Sequence, residues 1–508
     1  MNLPSQSAVA ASVPRVSWGR EVLASMVVFL VALPLSMGIA IASGVPVSAG
    51  LITGIIGGLV TGVLAGAPLQ VSGPAAGLTV IILELVREHG LAVLGPCVMV
   101  AGAVQFLAGL LKTGRWFRSI SPSVIHGMLA GIGVLIFASQ CYVLVDGKAK
   151  GKGWENLLHL PEVVRLLFSP AGLIGLLTIG TILLWDRFLK RRLPLVPSAL
   201  VAVTLASAAT HFTGISIHMV EVPASLLADI RLPLSDVISQ NLQTILVSGV
   251  VIAVVASAES LLSAAAVEKM VDGFSTNYDR ELIAQGTGNL LCGLAGALPM
   301  TGVIVRSSAN VSAGGRTRWS AVMHGGWLLL VVMLLPGVLR SIPTASLAGI
   351  LVHTGARLMS PGALVKLYRL DRMEAIIWLA TTVTIVATDL LMGVITGIVL
   401  SGICLLRSFQ KRRVPLSGLT TSVATAPDSS DMKLSLAGAA TFISLPVLTD
   451  QLELIPRGTH VIVAAEQLRL VDYSCHELLT TWAARHVAGG DRLQIDWSHI
   501  ERATTQSD

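Results

Sequence analysis

Apolar runs of about twenty residues recur along the first four-fifths of this chain, separated by short polar breaks. No other feature narrows the fold as much. A hydrocarbon layer about 30 Å thick admits only backbones that satisfy their own hydrogen bonds, which leaves helices and closed barrels. These runs are continuous and do not alternate in and out, so they read as helices. Only 13% of the 508 residues are charged, against roughly a quarter in a soluble chain. The expectation is an α-helical polytopic membrane protein embedded in the lipid bilayer. The net charge of +6 sits in basic residues clustered at run ends, which argues against nucleic acid as a partner. The five cysteines are scattered without metal-ligand spacing. No nucleophile–base pair or cofactor motif appears, so no enzyme, cofactor or metal centre is expected. Residues 1–14 are small and polar and lack a clear signal peptide.

Fourteen segments are expected, at about 20–42, 46–66, 75–88, 92–112, 122–145, 170–188, 196–213, 240–265, 280–297, 302–312, 318–337, 343–356, 373–388 and 390–408. Basic residues follow the fourth, sixth, tenth, twelfth and last, at Lys112, Arg115 and Arg118, at Lys190 to Arg192, at Arg316 and Arg318, at Arg357, Lys366, Arg369 and Arg372, and at Lys411 to Arg413. Cytoplasmic loops hold such an excess, so both termini should lie in the cytoplasm of a cell inner (plasma) membrane protein. Lys148, Lys150 and Lys152 run against that bias.

The segments at 75–88, 302–312 and 343–356 are short, and the first two, the third and tenth in order, are each the third of its seven. One follows QVSGPAAG (Gln70 to Gly77) and the other overlaps PMTGVIVR (Pro299 to Arg306). Proline- and glycine-broken segments at matching places in two halves point to a transporter's binding site. An odd number of segments per half makes the repeats inverted. Two half-helices would then meet N-terminus to N-terminus, with Ser72 to Ala75 facing Thr301 to Ile304. Helix starts offer unpaired N–H groups and a positive dipole end to an anion. Arg306, one turn into its half-helix, would add a full positive charge.

Ionisable residues within a span are costly and usually functional. The eighth segment carries Glu259 at its middle, with Ser263 one turn on and on the same face. Two readings stand for Glu259, a proton or ion carrier, or one half of a fixed Glu259–Arg306 ion pair. Glu84 and Glu88 are expected at the interface. His126, His324 and His353 should be packed or interfacial histidines, and Asp389 a cap or turn residue.

Three strings in order, NYDRELIAQGTGN (Asn277 to Asn289), PMTGVIVRS (Pro299 to Ser307) and AGGRTRWS (Ala313 to Ser320), resemble the sulfate permease family of anion transporters. The stretch from Gly44 to Gly77 is similar to that family's N-terminal signature. The resemblance covers roughly residues 20–408. It implies two intertwined seven-segment inverted repeats, a core domain moving against a gate domain, and a homodimer. It places the anion between Ser72, Gly73, Pro74 and Ala75 on one side and Thr301, Gly302, Val303 and Arg306 on the other. Sodium-dependent bicarbonate members carry an aspartate, a hydroxyl and a threonine where this chain has Glu259, Ser263 and Ile304. An aliphatic residue at 304 removes an oxygen ligand, so the likeness favours a coupling proton over sodium, with Glu259 and Ser263 as the coupling site. The ALPLSMGIA stretch (residues 32–40) resembles members found alongside carbonic anhydrases, which makes bicarbonate a candidate beside sulfate. A sodium-coupled bicarbonate symporter, a dicarboxylate carrier and an uncoupled exchanger or channel are the alternatives.

After the last span the composition changes. Residues 1–19 read as an N-terminal tail, 20–410 as the transmembrane domain, 411–432 as a Ser/Thr/Pro-rich linker, and 433–508 as a small cytoplasmic α/β module. The Asp472-Tyr473-Ser474 turn before an amphipathic helix resembles the STAS domain that follows such transporters. Ser474 matches a serine phosphorylated in some bacterial STAS proteins, or else serves as the helix N-cap.

Overall fold

The computed structural model describes residues 17–114, 121–149, 153–193, 195–221, 229–271, 276–388, 390–412, 419–425, 432–455, 459–488 and 493–505. Arg115, Arg118, Lys150, Lys152, Asp389 and Arg413 lie outside them. Among the described residues, helices lie at each of the fourteen expected places in order, with shorter ones such as Pro361–Leu370 in the connections. The first half holds α1 (Trp18–Ala42), α2 (Val47–Ile56, running on through a π turn to Leu64), α3 (Thr79–His89), α4 (Leu94–Leu110), α5 (Pro122–Leu144), α6 (Pro170–Leu184) and α7 (Ser198–Thr213). The second half holds α8 (Leu242–Met270), α9 (Tyr278–Leu294), α10 (Ile304–Ser312), α11 (Arg318–Leu334), α12 (Thr344–Met359), α13 (Arg372–Ala387) and α14 (Leu390–Arg412). Among the described residues, six helices are long and apolar enough to cross a membrane on length and composition alone. The short α3 and α10 are each preceded by an extended stretch, β1 (Ser72–Pro74) and β2 (Met300–Gly302). Proline explains the break before α3, since Pro74 has no N–H to give a helix.

Packing sorts most of the helices into two groups, with α1 also lying against α12 where the groups meet. In the first, α4 lies against α8 and α9, and α1 against α2, α10 and α11. In the second, α5 lies against α12, α13 and α14, and α6 against α7 and α12. Each group therefore draws its members from corresponding places in both halves, which is the arrangement that inverted repeats produce. Small residues permit the closest approaches. A Cβ on Gly58 in the π turn of α2 would lie 2.6 Å from the Gly325 Cα of α11, and one on Gly102 would lie 2.7 Å from the Gly286 carbonyl of α9.

The tail forms a four-stranded sheet in the order β3 (Thr420–Thr425), β4 (Met432–Ala440), β5 (Val461–Val471), β6 (Leu493–Ile495). β3 runs antiparallel to β4, whereas β4, β5 and β6 are parallel. The sheet packs with α15 (Leu445–Glu453), α16 (Tyr473–Ala488) and α17 (Trp497–Thr505) around a core that includes Leu434, Val463, Leu479 and Ile500. Two expectations need correction. The stretch 411–432 is not wholly a linker, because Thr420, Thr421 and Val423 favour extended backbone and pair in register with β4. The helix cap is Asp472, not Ser474: Asp472 Oδ1 accepts from the Cys475 N–H at 2.9 Å, the geometry of an N-cap.

Candidate anion site

The two broken segments meet. β1 and β2 pair antiparallel with Ser72 opposite Gly302, Gly73 opposite Thr301, and Pro74 opposite Met300. The ladder continues at both ends, with Val303 N–H donating to the Val71 carbonyl at 2.9 Å and Ala75 N–H to the Pro299 carbonyl at 3.3 Å. Buried extended backbone must find partners for every polar group. Side chains supply those that the ladder leaves. Ser307 Oγ accepts from Val71 N–H at 2.9 Å, Asn310 Nδ2 donates to the Leu69 carbonyl at 3.0 Å, and Thr53 Oγ1 donates to the Leu298 carbonyl at 2.7 Å.

Alternation along the strands then sorts the residues by face, since cross-strand partners point the same way. Gly73 and Thr301 share one face. There Arg306 lies against Gly73, so closely that an added Cβ would come 2.8 Å from its Cζ. Arg306 is fully buried and donates through Nη2 to Ser36 Oγ at 3.1 Å, while Nε and Nη1 have no partner among the described residues. On the same face the Glu259 carboxyl lies beside the Thr301 hydroxyl and the Gly77 N–H. Its Oε2 and Thr301 Oγ1 are enclosed without a hydrogen bond of ordinary geometry among the described residues. A Cβ on Gly77 would sit 3.0 Å from that Oε2.

Ser72, Gly302, Pro74 and Met300 share the other face, toward α9. Ser72 Oγ accepts from Gln285 Nε2 at 2.7 Å. Gln285 also donates to Glu281 Oε1 at 2.8 Å, and Glu281 Oε2 takes the N–H groups of Gly66 and Ala67, both at 2.9 Å. The Gln70 amide packs where a Gly302 Cβ would stand. Ala75 is buried at the end of β1, and Val303 is half-buried as the residue before α10. The structure thus gathers Gly73, Thr301, Arg306 and Glu259, and turns the Ser72 hydroxyl away from them.

The expected alternative for Glu259 does not form: it makes no salt bridge with Arg306 within 4.0 Å. Ser263 is buried one turn beyond Glu259, but the α8 side chain that bonds the crossing is Ser260, whose Oγ accepts from Gly302 N–H at 3.1 Å. Ser36, Ser260, Gln285 and Asn289 were not singled out by the sequence reading. The last two share a signal with Glu281, since polar residues at 281, 285 and 289 mark one helix face of a span. Ser36 carries no such signal, because one serine in an apolar run is common. His324 is fully buried and packed, with Nδ1 against the Ala321 carbonyl at 2.5 Å.

This arrangement can hold a small anion. Two nitrogens of a buried guanidinium, Nε and Nη1, with no hydrogen-bond or carboxylate partner among the described residues, stand near the start of a half-helix. Burying a cation without a partner is expensive unless a ligand supplies the opposite charge. The Glu259 carboxyl and the Thr301 hydroxyl lie beside each other on the same face of the crossing.

Known proteins agree with the architecture. The sulfate permease family matches residues 19–381. YvdB of Bacillus subtilis (strain 168), which carries a sulfate-transporter name, is 29% identical over 443 residues, covering 85% of this chain and 82% of YvdB. The bicarbonate transporter BicA of Synechocystis sp. (strain ATCC 27184 / PCC 6803 / Kazusa) is 30% identical over 384 residues, 74% of this chain and 67% of BicA. The solved transmembrane domain of a cyanobacterial BicA superposes with a TM-score of 0.65 at 28% identity, covering 74% of this chain and 97% of that one. SLC26A9 shares the fold, with a TM-score of 0.66 at 14% identity over 96% of this chain and 86% of its own. With the family match spanning most of its helical part and its broken segments crossing at a buried arginine, the chain belongs to the sulfate permease family of membrane anion transporters.

Proposed function

We propose that this protein is a secondary active transporter of a small inorganic anion, bicarbonate or sulfate, working by proton-coupled symport and alternating access. The observation that carries this reading is Arg306, fully buried, its Nε and Nη1 without a partner among the described residues. The anion is held between the starts of the two half-helices, on the face of the crossing that carries Gly73 and Thr301. Backbone N–H groups at the start of each half-helix and the Arg306 fork balance its charge. Ser72, Pro74, Ala75, Gly302 and Val303 shape the crossing that presents these groups. Glu259 carries the coupling proton, with Ser263 behind it on the same helix. Movement of the first helix group against the second exposes the site to each side in turn.

Sodium coupling is the second reading, favoured by one observation: Glu259 Oε2 and Thr301 Oγ1 are buried, adjacent oxygens without a hydrogen bond of ordinary geometry among the described residues, and hard cations need several oxygen ligands. Ile304, which contributes no oxygen, weighs for the proton. The resemblance further supports a homodimer with both termini in the cytoplasm and a STAS-like tail. Purified protein in liposomes, offered radiolabelled sulfate, bicarbonate, oxalate and succinate with and without sodium, tests the reading. Uptake of an inorganic anion without sodium, lost in Arg306→Ala, is expected. Uptake that is unchanged in Arg306→Ala removes the site assignment.

A further inference from the structure

Asn289 is fully buried on α9 and meets the outer edge of β2. Its Oδ1 accepts from Met300 N–H at 2.7 Å and its Nδ2 donates to the Met300 carbonyl at 3.0 Å. A neighbouring antiparallel strand would supply that same pair of bonds. The second Nδ2 hydrogen goes to Gln105 Oε1 at 2.7 Å, and Gln105 Nε2 donates to Ser257 Oγ of α8 at 3.3 Å. This chain of bonds fixes the amide's orientation, because a flipped Asn289 would set oxygen against oxygen twice. At the far end of β2, Ser260 takes the Gly302 N–H. Both outer-edge residues of the strand are therefore pinned from the α8 and α9 side. Thr301, between them, points to the opposite face, where Glu259 lies.

We propose that Asn289 is a positioning residue for transport, standing in for a third strand so that the Thr301 hydroxyl is held beside Glu259. The inference rests on the reading of Glu259 as the coupling group. It gives the polar stripe on α9 a functional purpose beyond satisfying buried backbone.

The test uses the full chain in liposomes, with radiolabelled bicarbonate and, separately, radiolabelled sulfate. Half-saturation and the pH profile of uptake are measured for Asn289→Asp, Ser260→Ala, Thr301→Val and the Asn289→Asp/Thr301→Val pair. Aspartate can still accept from Met300 N–H but confronts the Met300 carbonyl and Gln105 Oε1 with a second acceptor. Half-saturation should rise about tenfold, the worth of one well-placed hydrogen bond. The pH profile should move as it does in Thr301→Val, and the pair should do no more than Thr301→Val alone. Ser260→Ala, which loses a single bond, should give a smaller change of the same kind, and it decides the matter if Asn289→Asp fails to fold. Folded variants with wild-type half-saturation and pH profile would overturn the proposal, as would additive effects in the pair. Glu259→Gln separates the two layers. If pH dependence survives in Glu259→Gln, the coupling reading fails. If it vanishes there while Asn289→Asp keeps the wild-type profile, only the role of Asn289 fails.

Discussion

Arg306 and Gly73 form a unit at the scale of single residues. The guanidinium lies where a Gly73 side chain would be, with the added Cβ 2.8 Å from Cζ. Gly73→Ala should therefore push the fork out of place and weaken anion uptake, at an overpacking cost of about 1–3 kcal/mol. Wild-type uptake kinetics in Gly73→Ala would count against the contact. Arg306→Lys keeps a charge but loses the planar fork and the bond to Ser36. Half-saturation should rise roughly tenfold to a hundredfold, as expected for about 1.5–3 kcal/mol of charged hydrogen bonding. The separation of Glu259 from Arg306 is also a residue-scale result. The sequence suggested both an ion pair and a free carboxyl, because positions on the eighth and tenth segments do not tell how close the two side chains come. A three-residue strand is too short for its alternation to be read from sequence, so the choice of face became visible only with the pairing of Gly73 and Thr301.

At the scale of elements, the crossing of β1 and β2 is stabilised mostly by what surrounds it. Fourteen segments, two of them broken, were legible because hydropathy and proline act locally. The side chains that complete the crossing were not, since Ser36, Gln105, Ser260 and Asn289 come from segments far apart in the chain. Helix packing yields a prediction here. Gly58 and Gly325 approach backbone to backbone, with a Cβ at Gly58 only 2.6 Å from the Gly325 Cα. Gly58→Ala should lower the melting temperature of the detergent-purified protein measurably, and an unchanged melting temperature would refute that crossing. The tail gives a second. Asp472, capping α16, is pushed from 3.8 up to about 7, mainly by burial. A carboxyl raised in the folded state binds more protons folded than unfolded. Tail stability is then full below about pH 4 and falls as pH rises toward about 7. Hydrogen exchange in β4 and β5 of the full chain should be slower at about pH 5 than at about pH 8. In Asp472→Asn that difference should shrink.

For the whole molecule, the proposed alternating access rests on the sorting of helices into two groups drawn from both halves. The matching positions of the two broken segments made the inverted repeat readable from sequence. The tail was readable in part: alternating strands and helices were visible, but β3 was hidden in a Ser/Thr/Pro-rich stretch that composition alone assigns to a linker. The account's central claim is that a proton carried by Glu259 drives an anion bound at Arg306. Uptake of radiolabelled bicarbonate and sulfate by sodium-free proteoliposomes, with and without an imposed pH gradient, tests it most directly. Accumulation driven by the gradient in the wild type, reduced to gradient-independent equilibration in Glu259→Gln, is the predicted result. Uptake indifferent to the gradient in both proteins would contradict it.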